Sequence, residues 1–329
     1  MAIVDTLTAA PGVIVDIICS VLNGERFLPE FLASIEAQSY RNWRLWLRDD
    51  GSADGTAALF RAAAARDARI RILHIGGPRL GPSQSFGRAL EDVPADAAYV
   101  MTADADDVWL PHKIALTLER MMATERAEGS AMPVLVHTDL TVVDVDLRER
   151  HPSFWRYAGL RPEPPSLRRI VVRNVATGPT VMLNAALRKR IGATPVEATH
   201  HDWWYALVAA AVGRIVAVHE STVLYRQHGA NDVGAQPRGR IGLAGVPRAV
   251  RRGFEHRAQF RLWIAKQAGQ ARALLERYGE ELDGPERKFL LDYSRIPERG
   301  FFRRKLDVLR MRALPEYGVL HAIAAVWRG

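Results

Sequence analysis

Two periods of apolar spacing trade places along the first 140 residues. Residues 13–19 (VIVDIIC) are short and β-branched, which predicts a buried strand. Across residues 25–38 the apolar positions are Phe27, Leu28, Phe31, Leu32 and Ile35, the spacing of one helix face. Residues 43–48 read as a second strand that ends in Asp49-Asp50-Gly51-Ser52, and Asp54 stands where it can cap a helix reaching Ala65. A third strand, residues 70–75, is broken by Gly76-Gly77-Pro78, and a helix follows near residues 84–90. The fourth strand, residues 97–102, runs into Asp104-Ala105-Asp106-Asp107, and Pro111 is expected to open the next helix, since proline is tolerated in a first turn. Residues 134–136 begin another strand.

Strands and helices in alternation predict an α/β fold with a mostly parallel central sheet flanked by helices. Ligands of such sheets bind beyond the carboxyl ends of the strands. Both acidic clusters follow strands, so both should share that edge. After about residue 147 the alternation weakens. Short strands are expected at 181–183, 215–218 and 222–225, with a helix at 202–212. Residues 236–245, with three glycines and a proline, read as a linker to helical sequence at roughly 251–282, 285–293 and 301–313.

Length and composition suit a globular protein: 329 residues, 48% hydrophobic and 25% charged. Cys19 is the one cysteine, which excludes an intrachain disulfide and a cysteine-rich zinc site and suits a reducing compartment. Residues 1–11 lack the basic start and apolar core of a secretory signal, and no apolar run approaches about 18 residues, so no transmembrane helix is expected. The net charge of +8 is concentrated at the end of the chain. Residues 236–329 hold 20 Lys/Arg against 10 Asp/Glu, and residues 1–235 hold 25 against 27. A basic tail on a near-neutral body points to an anionic surface, membrane rather than nucleic acid, because no nucleic-acid-binding motif accompanies it.

The candidate chemistry lies in the two acidic turns. Three carboxylates in four residues, Asp104 to Asp107, repel one another, and such a cluster at a strand end is unfavourable without a compensating cation. Hard divalent cations bind through one or two carboxylates plus substrate phosphates. A solvated, helix-capping turn is the competing reading. Asp49-Asp50-Gly51-Ser52 can likewise be a plain turn, or it can present a carboxylate to a nucleobase or ribose.

Taken together, SVLNGERFL (20–28), LRDDGSADGT (47–56), DADDVWLPHK (104–113), TGPTVMLN (177–184), HDWWYALVA (201–209) and LYRQHGANDVG (224–234) resemble the family-2 glycosyltransferases of the A-type nucleotide-diphospho-sugar transferase fold. HDWW, YRQHG, LVHTDL (135–140) and SFW (153–155) resemble the rhamnosyltransferase-like members. The resemblance implies a catalytic domain at 1–235, with a nucleotide and metal half at about 13–140 and an acceptor half at about 141–235, followed by the basic helical region 236–329. It implies an inverting hexosyltransferase that uses a dTDP- or UDP-linked sugar, L-rhamnose among them, Mg²⁺ or Mn²⁺, and a glycan or lipid-linked acceptor for cell-envelope polysaccharide. Ser20 and Asp50 would line the base and ribose pocket, with Asp104 at the ribose or a metal-bound water. Asp106 would ligate the metal, His228 would complete the metal or diphosphate site, and Arg226 would face the diphosphate. Asp202 would be the catalytic base.

Some positions depart from the family pattern. Ser85 stands where asparagine is common, and Cys-Ser-Val-Leu-Asn replaces a first loop that usually carries an aromatic. The resemblance places the chain in the cytoplasm. The basic helices either lie on the inner face of the membrane or pack on the enzyme or a second subunit. A non-catalytic sugar-nucleotide or glycan-binding module on the same fold is the alternative function. A nucleotidyltransferase would carry a glycine-rich basic loop after the first strand, and SVLNGERF has none.

Overall fold

A computed structural model describes residues 12–163, 166–229 and 257–300. The expected linker at 236–245 and helix at 301–313 lie outside the described residues. The chain divides into two compact units, one comprising Met1–Pro165, Asn174–Val196 and His200–Pro237, the other Ser166–Arg173, Glu197–Thr199 and Arg238–Gly329.

The first unit opens with β1 (Val15–Val21), α1 (Leu28–Glu36), β2 (Trp43–Asp49), α2 (Thr56–Arg66), β3 (Ile70–His74), α3 (Pro82–Asp92) and β4 (Tyr99–Ala103). Strand β1 pairs in parallel with β2 on one side and β4 on the other, and β2 pairs in parallel with β3. Helices cover both faces, and six of seven β1 residues, Val15 to Cys19 and Val21, are fully or nearly fully buried, as a central parallel strand requires. Helix α1 buries Leu28, Phe31, Leu32 and Ile35, the face the periodicity predicted. Register puts Val21 opposite Asp49 and Cys19 opposite Ala103, so both acidic turns leave the sheet at one edge.

Beyond β4 the sheet becomes mixed. β5 (Val108–Trp109), α4 (Lys113–Glu128), β6 (Val134–Val143), β7 (Glu149–His151), α5 (Phe154–Ala158), α6 (Leu167–Val172), β8 (Met182–Asn184), α7 (Ala185–Ile191), α8 (His201–Val212) and β9 (Arg214–Arg226) follow. The strand order is β3-β2-β1-β4-β8-β6-β9-β5, with β7 on β6. The pairs β4–β8, β8–β6 and β5–β9 are antiparallel, whereas β6–β9 is parallel.

Two local expectations change. The segments 215–218 and 222–225 are one strand, β9, whose register against β6 slips between Thr138 and Asp139. The polar run His219-Glu220-Ser221 at that slip interrupts the apolar pattern. Pro111 does not open α4 but lies in the turn before it, because Val108–Trp109 first pairs with β9 and Leu110 N donates to Thr222 O at 2.9 Å.

In the second unit, α9 (Arg257–Tyr278) and α10 (Gly284–Ser294) join α6. Buried Gln267 donates to Val172 O at 3.0 Å and accepts from the Tyr293 hydroxyl at 2.7 Å, and Asp283 caps α10 by accepting from Glu286 N. Among the described residues no helix is long and apolar enough to cross a membrane.

Two buried ionisable groups make the fold's stability testable. Asp16, with no exposure, accepts from Arg44 Nε at 2.7 Å, Arg44 Nη2 at 2.8 Å and Trp46 Nε1 at 2.6 Å. Asp16→Ala strands a guanidinium and an indole N–H and should cost about 3 kcal/mol in urea denaturation, the low end for a broken buried pair because Arg44 keeps some solvent. His137 is buried on β6 with neither ring nitrogen hydrogen-bonded, and burial pushes its pKa down to about 3. The unfolded chain takes up this proton below about pH 6.5 and the folded chain only near 3, so the stability is complete above 6.5 and lost as pH falls through that window. At the limit this is worth about 5 kcal/mol. His137→Leu should therefore lose less stability than the unaltered chain between pH 7.5 and 4.5. Parallel losses in the two proteins would contradict it.

Candidate functional site

At the nucleotide end, the loops after β1 and β2 are tied by reciprocal bonds. Asn23 N donates to Ser52 Oγ at 2.8 Å, and Ala53 N donates to Asn23 Oδ1 at 2.9 Å. Glu25 N donates to Asp54 Oδ2, and Gly55 N returns to Glu25 Oε2. Asp54 thus holds this junction and the Thr56 N–H, while Gly55 takes the helix-cap position that the sequence gave to Asp54. Asp50 is buried, and its two oxygens accept from Leu80 N and Gly81 N, each at 2.9 Å. Asp49 accepts from Ser52 N and Gly76 N. The two aspartates therefore hold the Gly76–Gly81 loop from below. Gly51 is required beside it: φ is +87°, and a Cβ would stand 2.9 Å from Gly77 O. Ser20 donates to Ser85 Oγ at 2.6 Å, and Arg48 Nε reaches the same oxygen at 3.2 Å.

The Asp104–Asp107 turn is pinned between the end of β4 and β5. Asp107 is fully buried and its Oδ1 accepts from Arg226 N at 2.9 Å. Burial first, then the charges of Asp106 and Asp104, push the Asp107 carboxyl well above the usual carboxylate range. Lys113, fully buried at the first position of α4, lies with its ammonium 4.6 Å from the centre of the Trp109 ring and has its pKa lowered to about 7 by burial. Asp106, in contrast, is partly exposed, and its Oδ2 stands 2.9 Å from His228 Nε2. A carboxylate and an imidazole at that spacing are two ready donor atoms for a divalent cation. No group of three or more His, Cys, Asp or Glu side chains is gathered in this way among the described residues.

Arg226 does not face open space. It is 2% exposed, and its guanidinium donates from Nε to Asp106 O at 2.8 Å, from Nη1 to Val145 O at 2.5 Å and from Nη2 to Glu30 Oε2. The Phe27 ring lies 4.7 Å from the guanidinium carbon and stacks on the His228 ring at 4.9 Å.

A single turn of 3₁₀ helix, Gly178–Thr180, brings the segment between α6 and β8 to the end of β4. Its anchor is Thr102, on β4, whose hydroxyl donates to Gly178 O. The Gly178 N–H faces the Asp202 carboxylate, and a Cβ built on Gly178 would stand 3.6 Å from Asp104 Oδ2 and 3.4 Å from the His201 ring. Asp104 and Asp202, 98 positions apart in sequence, thus border one glycine. Burial raises the Asp202 pKa, against the opposing pull of His200 and of the Trp203 and Gly178 N–H groups. His201 stacks on Phe86 at 3.8 Å, and burial lowers its pKa to about 3, so it is neutral there.

Asp104, Asp106, Asp202 and His228 are therefore gathered around β4, Gly178 and the end of β9. Ser20 and Asp50 lie at the β1–β2 edge, where their side chains hold α3 and the Gly76–Gly81 loop. Glu30 lies outside every motif quoted from the sequence, and Phe27 and His201, though inside two of them, are assigned no role there. Phe27 looks like one more helix-face residue and Glu30 like a first-turn acid. Nothing local announces a partner 196 positions away.

The family model for glycosyl transferase family 2 matches residues 16–189, more than half of the chain, and Asp202, Arg226 and His228 lie beyond that match. The chain is 28% identical over 109 residues to the Escherichia coli UDP-Glc:alpha-D-GlcNAc-diphosphoundecaprenol beta-1,3-glucosyltransferase WfgD, covering 33% of this chain and 41% of that protein. It is 38% identical over 84 residues to the succinoglycan biosynthesis protein ExoW of Rhizobium meliloti, covering 24% and 25%. The matched stretches span only 35% to 51% of the length of three curated bacterial relatives, WfgD among them. The crystal structure of S. aureus TarS 1-349 in complex with UDP-GlcNAc superposes with a TM-score of 0.53 at 15% identity, over 94% of this chain and 90% of that one, a likeness of fold. On a match of that extent, the chain belongs to glycosyl transferase family 2.

Proposed function

We propose that this protein is a glycosyltransferase that moves a sugar from a nucleoside diphosphate to a hydroxyl of a glycan or lipid-linked acceptor. The observation that carries the reading is the meeting of Asp104 and Asp202 at Gly178, next to the Asp106–His228 pair, in a family-2 chain. WfgD's acceptor, a diphosphoundecaprenol-linked sugar, makes a lipid-linked acceptor a reasonable class to test.

Asp106 and His228 would hold Mg²⁺ or Mn²⁺, a cation that takes its other ligands from phosphate and water and, when bound, neutralises charge on the departing diphosphate. Asp202 serves as base: its carboxylate takes the acceptor proton as the hydroxyl attacks. The Trp203 N–H, which donates to Asp202 Oδ1 at 2.6 Å, keeps that carboxylate oriented. Asp104, beside Gly178, faces the donor ribose or a cation-bound water. Asp50 and Ser20 shape the nucleotide end by holding the Gly76–Gly81 loop and Ser85 in place. With a single displacement and a single base, the anomeric centre inverts. The nucleobase is read as uracil or thymine, and the motif resemblance names L-rhamnose as a first sugar to try.

Asp106→Asn should abolish Mn²⁺-dependent release of nucleoside diphosphate from a panel of UDP- and dTDP-sugars, a rate loss of at least 100-fold. Undiminished turnover would remove Asp106 from the site. Asp202→Asn should bind donor as before in a thermal-shift titration and lose transfer. Because burial raises its pKa, Asp202 must shed a proton before it can act, so kcat for transfer should rise with pH along a limb lying above the ordinary carboxylate value of 3.8. A rate already flat from pH 4 upward would contradict its role as base. Donor binding by the unaltered protein with no transfer to any acceptor would favour the non-catalytic module.

A further inference from the structure

Arg226 joins three parts of the chain that are far apart in sequence. Its backbone N–H is taken by the Asp107 carboxylate and its Nε by the Asp106 carbonyl. One residue thus grips two consecutive residues of the acidic turn from opposite sides, main chain to side chain and side chain to main chain. Nη1 reaches Val145 O, and Nη2 reaches Glu30 on α1. The guanidinium has a fixed planar fork, so these bonds set the direction of the Asp106 peptide as well as its distance. His228 follows two residues later on the same chain, and its ring stacks on Phe27, whose own face lies against Arg226.

A buried guanidinium needs compensation, and Glu30 supplies it: Arg226 is 2% exposed, whereas the Glu30 side chain is 56% exposed. The charge balance of a buried clamp therefore rests on a residue at the surface. A diphosphate oxygen approaching these guanidinium nitrogens would meet the carbonyls and the carboxylate that already accept from all three of them.

We propose that Arg226 is a positioning residue, which with Glu30 and Phe27 clamps the acidic turn to the end of β9 and so sets the spacing of Asp106 and His228 for a divalent cation. This rests on the function proposed above. The clamp binds neither sugar nor diphosphate. Its loss weakens cation binding and leaves donor recognition at saturating cation intact.

The test is Mn²⁺ binding followed by electron paramagnetic resonance, with inorganic pyrophosphate present, on the unaltered chain and on Glu30→Gln, Phe27→Leu and Arg226→Lys. Glu30→Gln changes an exposed group, so it separates clamping from folding, and its melting temperature is recorded alongside. The expected result is a 3- to 10-fold (about 0.7 to 1.4 kcal/mol) weaker Mn²⁺ affinity in Glu30→Gln and Phe27→Leu and a larger loss in Arg226→Lys, with donor KM at saturating Mn²⁺ unchanged. Equal Mn²⁺ affinity in Glu30→Gln and the unaltered chain overturns the clamp. So does a raised donor KM with Mn²⁺ affinity unchanged, which would make Arg226 a diphosphate ligand. Failure of the unaltered chain to take up Mn²⁺ at all overturns the proposed function together with the clamp.

Discussion

Three carboxylates within four residues repel one another, and the way this fold holds them apart organises everything around them. Asp107 is sent inward, where the Arg226 N–H and the neighbourhood of Lys113 receive it. Asp106 is sent outward to His228, and Asp104 toward Gly178. The turn is possible because β4 ends at Ala103 and β5 begins at Val108, with β9 pairing to β5 and delivering Arg226 from the far side of the sheet. Without that antiparallel pairing the aspartates would have only solvent to separate them.

The parallel half of the sheet prepares the other side of the site. Because β2, β1 and β4 run the same way, Asp49, Asp50 and Asp104 all emerge at one edge. There Asp49 and Asp50 spend their oxygens on backbone N–H groups of the Gly76–Gly81 region. Their part in the site is thus indirect: they shape the loop beside the nucleotide end. The mixed half contributes differently. Gly178 follows α6 and is tied to β4 by Thr102, so helix α8, which carries Asp202, is referenced to the same strand that carries the acidic turn.

Much of this was legible from periodicity and turn chemistry. β1, α1 and β2 were expected to within a few residues, because a β-branched run and a regular apolar face have few alternative readings. The common edge of the two acidic turns followed from parallel topology alone. What stayed hidden was long-range and polar. Arg226 reads as a free cation near a diphosphate, and only the fold shows it buried against Asp106, Val145 and Glu30. β5 is two residues long and carries no periodic signal, yet it moves the start of α4 past Pro111. The single strand β9 looked like two, because its register slip falls at polar residues.

The central claim is that Asp106 and His228 share one cation beside the Gly178 turn. Anomalous diffraction from a crystal soaked in Mn²⁺ and pyrophosphate tests it most directly. The account predicts a manganese peak within about 2.3 Å of both Asp106 Oδ2 and His228 Nε2. A peak on other residues, or a well-ordered pair with no manganese between them, would contradict it.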